Sequence, residues 1–521
     1  MQNEWIDRFR FWKDKRFRLC FAWVFLFGLI AHGFCYFSLS YTHDSLYCIY
    51  RTDLLSHIGY GRFLQPLYSM LRGNLSLPWL CGLLTFLWIA LALYCLVDLL
   101  RIRQSLTVVL LAAAMTTYPM LSITNATYLN FTDLFMLAFL LSVISVWLLE
   151  RVRWGFLAGA VCVMLSMGLY QNYIASACGL ILILFILKIL RGETDTKQLW
   201  TFAVKAAAML LLGALLYTVT LKVALSVTGV ELATTYNGIA DVGNFQDVSL
   251  LALIKDTYTY LLKTLYRPHT ALEGLTGVLN GLLLLAGLLA LFAMARKSRL
   301  TRGRLALLVA ALLMLPFAVN VTYFISKGVI HEMMTYPFVL LTVLALTLVD
   351  QSGWMEKEPE SRKKKNVQKA LCVALPAIVF LTAFSDTVYA NTAYLKKQLE
   401  YQSTFACMNR VINEMEHTEG FALRETPVVF VGTLSDSAVS QNRTGMDYLR
   451  GVGLTFNYGI TYYETELSYM EYVMGYPVRL ADYEIKRAYR NREDVAAMPA
   501  FPSAGYCQLL DGVLVVKLSQ P

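Results

Sequence analysis

Residues 41–72 read YTHDSLYCIYRTDLLSHIGYGRFLQPLYSMLR. The stretch separates two apolar runs, 17–40 and 78–100. Each run is long enough to cross a hydrocarbon core of about 30 Å. Everything polar between them must sit at a membrane surface. It carries two carboxylates, Asp44 and Asp53, and a cation, Arg62, set between Gly61 and Phe63. Acids followed by basic and aromatic residues in a loop at a membrane surface point to chemistry on a lipid-linked substrate.

The rest of the chain supplies a frame for such a loop. Of 521 residues, 57% are hydrophobic and 16% charged, against roughly 25% charged in soluble domains. That excess of apolar residues makes this a polytopic α-helical membrane protein. The net charge of +9 resides in short connections between apolar runs, which suits a membrane surface and not a nucleic acid. The first apolar run is too long for a signal-peptide core of about 7–15 residues, so it reads as a retained anchor.

Eleven spans are expected, at 17–40, 78–100, 105–121, 132–149, 154–170, 174–190, 204–227, 275–295, 305–325, 335–350 and 370–389. Arg8, Arg10, Lys13, Lys15, Arg16 and Arg18 precede the first, so the N-terminus is assigned to the cytoplasm by the positive-inside bias. Alternate connections then fall into two sets. Those at Arg101 and Arg103, Arg151 and Arg153, 296–304 and 362–369 are dense in Lys and Arg, whereas those at 122–131 and 171–173 have none. The loops 41–77 and 228–274 fall outside. The second contains an amphipathic stretch, 250–265, with helical spacing of its apolar residues, expected to lie along the interface.

Residues 1–389 form the membrane part in this reading, and 390–521 a small α+β domain outside. Within that domain 427-PVVFVGTL-434 reads as a strand, Lys396–His417 as a helix, and 507-CQLLDGVLVVKL-518 as a hairpin turning at Asp511-Gly512. Seven of the ten cysteines lie in apolar spans, where they act as small hydrophobes. Cys407 and Cys507 could pair or remain thiols.

Asp44 is either an interface carboxylate or a general base for a sugar hydroxyl. Asp53 is a second acid or an ordinary loop residue, and ranks below it. Arg62 suits a phosphate, through bidentate donors, or anchors the loop among headgroups. Arg72, Lys263, Arg267, His269, Lys327 and His331 are further outer-loop cations, and several converging would stabilise a departing phosphate. Asp133 enters the membrane edge at Asn130-Phe131-Thr132-Asp133, as a functional carboxylate or one favoured by the helix dipole. Tyr170 and Gln171 could stack on and hydrogen-bond a sugar, or form a polar turn. Glu332 beside His331 is too weak a pair to assign. Two isolated aspartates do not establish a metal site, and no cofactor is expected. Phosphate-loop, HExxH and GxSxG patterns are absent from the sequence. The inner connections are too short for a nucleotide-sugar domain, which favours a lipid-linked donor presented outside.

The span end at Thr42-His43-Asp44-Ser45, then 61-GRFLQPLY-68, Tyr118-Pro119, Asn130-Phe131-Thr132-Asp133 and Tyr170-Gln171 resemble the Gtr-type (GtrII-like) bacterial membrane glucosyltransferases of the GT-C superfamily. The likeness covers about residues 17–350. Phe63 stands where that family often has Trp, which bears on the sugar more than on the reaction. The resemblance implies a GT-C-like fold, a catalytic carboxylate in the first outer loop (Asp44 by position), and a polyprenyl-phosphate sugar, typically glucose, as donor. It implies a cell-surface polysaccharide or glycolipid as acceptor, transfer with inversion, and residence in the bacterial plasma membrane. A donor-lipid synthase and a flippase would supply such a donor. Arg62, Arg267, Lys327 and His331 are then expected near phosphate, and Asp133, Tyr170 and Gln171 near sugar or acceptor. The outer domain is expected to bind acceptor. A glycolipid transporter and a polysaccharide polymerase or ligase are the competing readings. The clustering of polar groups in outer loops weighs against the transporter.

Overall fold

The computed structural model describes residues 14–38, 41, 45–46, 49, 55–192, 194–233, 245, 248–266, 275–354, 362–434 and 465–520, with side chains of the helix that begins at 362 described from 372. Asp44, Asp53, Arg267 and His269 lie outside the described residues.

Helices dominate. In chain order they are α1 (Lys15–Phe37), α2 (Leu64–Leu71), α3 (Pro78–Leu100), α4 (Ser105–Thr116), α5 (Pro119–Thr127), α6 (Thr132–Arg151), α7 (Gly155–Leu169), α8 (Ile174–Arg191) and α9 (Thr196–Thr228). Then come α10 (Leu250–Leu265), α11 (Leu275–Lys297), α12 (Arg302–Val319), α13 (Val339–Ser352) and α14 (Arg362–His417). Among the described residues nine helical segments are long and apolar enough to cross a membrane. The other two expected spans coincide with the shorter apolar helices Gly155–Leu169 and Tyr336–Ser352.

Local chemistry sets the boundaries. Tyr118 has ψ 130° because the residue before a proline is pushed out of the helical region, and Pro119 opens α5 at a position where its missing N–H costs nothing. Asp350 accepts from the backbone N–H of Arg103 (2.8 Å) and Gln104 (3.1 Å), just ahead of α4. Asp195 and Gln198 form a capping box at the start of α9. At the arginine-rich end, Arg151 donates to the Asp98 carbonyl, Arg191 to Leu100 and Arg304 to Thr194. Basic side chains there satisfy carbonyls that helix ends and connections leave open.

One correction and one continuity concern the connections. The stretch 122–131, expected as a short loop, is instead α5 and the 3₁₀ turn Leu129–Phe131. Asn125 and Asn130 within it are buried. Their side chains and backbone are satisfied inside the bundle: Asn125 accepts from Tyr36 (3.0 Å) and donates to Tyr394 (3.1 Å). Residue 389, taken as the end of the membrane part, lies inside α14, a single helix of 56 residues. At 1.5 Å per residue it runs about 84 Å, well beyond a hydrocarbon core of about 30 Å. It therefore connects the bundle directly to the small C-terminal sheet.

That sheet has the order β2-β1-β4-β3, from β1 (Pro427–Val431), β2 (Arg479–Leu480), β3 (Cys507–Leu510) and β4 (Val513–Lys517). β1 runs parallel to β2 and β4, and β3 and β4 form the antiparallel hairpin. Asp511 and Gly512 both take positive φ at its turn, as a two-residue hairpin requires. Cys407 and Cys507 are buried free thiols.

α10 buries Leu253, Thr257 and Leu261, one face at four-residue spacing, and exposes Leu250, Leu251, Ile254 and Leu262. It is held by Asn320 donating to the Thr257 carbonyl (2.8 Å) and by Tyr258 donating to Leu313 (2.8 Å). One side of it packs on protein rather than on the membrane interface alone.

Candidate active site

The described part of the first loop is clamped to the bundle at Gly61. Gly61 has φ +78°, and a Cβ there would collide with the Gln171 amide and the Tyr217 hydroxyl. Only glycine fits that conformation and that space. Gln171 Nε2 donates to the Tyr60 carbonyl (2.7 Å) and to Tyr217 Oη (3.1 Å), and Tyr217 Oη donates to the Gly61 carbonyl (3.0 Å). Behind the clamp, Gln65 Nε2 donates to the Leu169 carbonyl (2.9 Å).

The clamp delivers Arg62. Its guanidinium carbon lies 4.8 Å from the centre of the Tyr170 ring, a cation–π distance. Tyr170 in turn stacks on Phe135, with centroids 4.4 Å apart. Two histidines lie in the field of Arg62. His57 is pushed down to about 4 by burial and, less, by Arg62, against a hydrogen bond to Gln65 that raises it. His331 is lowered by burial first, with Glu332 opposing and Arg62 adding to the shift. Both imidazoles are therefore neutral near pH 7. His57 spends its one N–H on the Gln65 side-chain carbonyl oxygen, so Arg62, with His331 in its field, is the group in this cluster suited to an anionic oxygen.

Asp133 belongs to a separate layer. Its Oδ1 lies 3.2 Å from Arg72 Nη1, both side chains almost wholly buried. Its Oδ2 accepts from Tyr68 Oη (2.9 Å), which accepts from Trp88 Nε1 (3.1 Å). Arg72 also donates to the Asn130 carbonyl (2.8 Å). Fully partnered, Asp133 fixes α2 against the start of α6.

Of the expected site residues, Arg62, Tyr170 and Gln171 come together, and His331 lies within the field of Arg62. Asp133 stands apart with Arg72. Lys327 takes φ +55° in the turn after the short helix Val321–Ile325, four residues before His331. Tyr217 and His57 were not singled out from the sequence. Tyr217 is one aromatic in a 33-residue apolar helix, and nothing local marks it as facing a loop. His57, eight residues before Gln65 and five before Arg62, offered a weak signal by proximity alone.

Close to the undescribed part of the loop, Ser45 Oγ donates to Asn130 Oδ1 (3.5 Å), and Leu46 is fully buried in the core of the C-terminal domain with Met408, Val411 and Phe430. The first loop thus touches both bundle and small domain.

A family model described as Glucosyl transferase GtrII matches residues 33–346. No curated protein and no solved structure matches the chain.

Proposed function

The chain belongs to the GtrII glucosyl transferase family, and from that premise we propose that it moves glucose from a polyprenyl-phosphate donor to a surface polysaccharide or glycolipid at the outer face of a bacterial plasma membrane. Membership makes it a glycosyltransferase, and its apolar helices make it a multi-pass membrane protein. The observation that carries the finer reading is the Arg62 cluster: a loop cation fixed on Tyr170 by the Gly61–Gln171–Tyr217 clamp, beside neutral His331. That cluster suits the phosphate of a lipid-linked sugar. The distribution of Lys and Arg over the connections supports the outward assignment of this end.

In the proposed reaction Asp44 takes the proton of an acceptor hydroxyl as its oxygen attacks the anomeric carbon. The bond from that carbon to the phosphate oxygen breaks, and polyprenyl phosphate leaves with its charge stabilised at Arg62 and His331. Lys327 and Arg267 are assigned to the phosphate side, Tyr170 and Gln171 to the sugar, and Asp53 to a lesser acidic role. A synthase that charges the lipid and a flippase that presents it must act beforehand.

The test is transfer by purified protein from synthetic polyprenyl-phosphate glucose. Wild type should form product, and Asp44→Asn should lose about 10²–10⁴-fold in kcat while eluting as a folded protein. Full activity of Asp44→Asn rejects that residue as the base. Movement of the lipid across liposomes with no transfer rejects the enzyme reading in favour of a flippase.

A further inference from the structure

Asp386 lies in α14, in the last apolar span, and is 5% exposed. Its Oδ1 has no hydrogen-bond partner among the described residues. An ionisable residue in a span is costly and marks a function, and an unsatisfied buried oxygen raises that cost. Asp386 lines a cavity enclosed by α4, α5, α10, α11, α13 and the turn at 332–335. It lies beyond the residues that the family model matches.

The cavity walls are rich in acceptors. Thr117 donates its hydroxyl proton to the Ala113 carbonyl (3.0 Å), Thr264 to Tyr260 (2.9 Å), Thr335 to Glu332 (2.7 Å) and Thr382 to Ile378 (3.0 Å). Each hydroxyl is left with lone pairs to offer a ligand. Together with the Asp386 carboxyl group they suit a ligand with several donors. A hexose, with several O–H groups on one small ring, has that chemistry, and Tyr118 and Leu283 in the same wall supply apolar surface for its C–H face. Leu265 lines both this cavity and an adjoining groove whose walls are almost entirely apolar, among them Leu284, Leu291 and Leu315. A chamber with several polar groups set in a mostly apolar wall, beside an apolar groove, suits a sugar carried on a hydrocarbon chain. On its other side Glu332 adjoins His331, which lies in the field of Arg62.

We propose that this cavity binds a hexose, with Asp386 and the threonine hydroxyls accepting hydrogen bonds from its O–H groups. That the hexose is glucose rests on the glucosyl-transfer reading. The sugar comes either from the lipid-linked donor or from the end of the acceptor glycan.

Kinetics with Asp386→Asn and Thr382→Val separate the two sources. Asp386→Asn should raise one KM by roughly several-fold, as expected for a lost hydrogen bond at a buried acid, with kcat changed far less. Thr382→Val should raise the same KM. A rise in the donor KM assigns the cavity to the donor sugar, and a rise in the acceptor KM to the acceptor. Unchanged KM values for both substrates in folded Asp386→Asn overturn the proposal and leave glucosyl transfer intact. A second measurement does not depend on turnover: labelling of Asp386 in wild-type protein by a hydrophobic carbodiimide, read by peptide mass. Polyprenyl-phosphate glucose or methyl glucoside in excess should protect Asp386. Protection by sodium or magnesium chloride alone, or by neither sugar, overturns a hexose site even if the wild type proves inactive in transfer.

Discussion

Asp133 and Arg62 share a motif-level reading as loop residues at a membrane edge, yet their partners give them different work. Asp133 meets Arg72 at 3.2 Å and Tyr68 at 2.9 Å with no exposure. A buried pair is held as a unit, and removing one member leaves the other charge uncompensated. Asp133→Asn should therefore cost about 3–5 kcal/mol of stability, seen as a large drop in the unfolding midpoint in detergent. Arg72→Met combined with Asp133→Leu should recover most of that loss. A stable, inactive Asp133→Asn would instead assign Asp133 to the chemistry. The sequence pointed to Asp133 because a carboxylate at a span end is rare. It could not reveal the pairing, since Arg72 lies 61 residues away and only the packing of α2 on α6 joins them. Asp386 was legible in principle, as a lone acid in an apolar span. Its significance comes from an Oδ1 with no hydrogen-bond partner among the described residues, which is a property of three dimensions.

At the scale of elements, the Gly61 turn depends on α9 and on the short turn Gln171–Tyr173, neither adjacent in sequence. Two substitutions probe it with different severity. Tyr217→Phe removes one donor and one acceptor and should cost about 1 kcal/mol. Gly61→Ala forces a left-handed residue, at about 1–2 kcal/mol, and drives a methyl group into Gln171 and Tyr217. Because the turn carries Arg62, both should reduce kcat/KM for the donor more than they lower the unfolding midpoint, Gly61→Ala the more strongly. Equal activity in Gly61→Ala would show that Arg62 is positioned by something else. Hydropathy located the spans, and the Tyr118-Pro119 pair located a break, because both are local effects. The absence of charge at 122–131 resembled a short loop, but α5 continues there because Asn125 finds Tyr36 and Tyr394 on neighbouring helices and Thr124 donates back to the Met120 carbonyl within α5 (2.9 Å). α14 runs on through residue 389 for a related reason. Composition changes where α14 leaves apolar surroundings, but the backbone has no cause to stop, since no proline or glycine follows until Gly420.

For the whole molecule, the question is why a membrane glycosyltransferase carries a sheet domain on its last helix. Leu46 gives a physical answer. It is two residues from Asp44 in sequence, and its side chain is fully buried in the same apolar cluster as Met408 and Val411 of α14, Phe430 of β1 and Val516 of β4. Ser45 beside it reaches Asn130 on the bundle. The segment next to the proposed base is therefore tethered on one side to the membrane helices and on the other to the C-terminal core. A catalytic group must be held to within a fraction of an ångström of its reactive geometry, and a loop at a membrane surface has little intrinsic order. The domain then serves to fix the loop, whatever else it binds. Leu46→Ala should open a cavity worth about 2–5 kcal/mol at that contact and depress kcat by an amount approaching that of Asp44→Asn. Met408→Ala, which thins the same buried cluster from the domain side, should do likewise. The bundle, cross-tied by His32 to Tyr394 (2.7 Å) and by Asn125 to Tyr36, should keep its unfolding midpoint in both variants. If the domain only gathers acceptor, the two variants will raise the acceptor KM and leave kcat unchanged. A fall in kcat at saturating acceptor requires that the domain act through the loop.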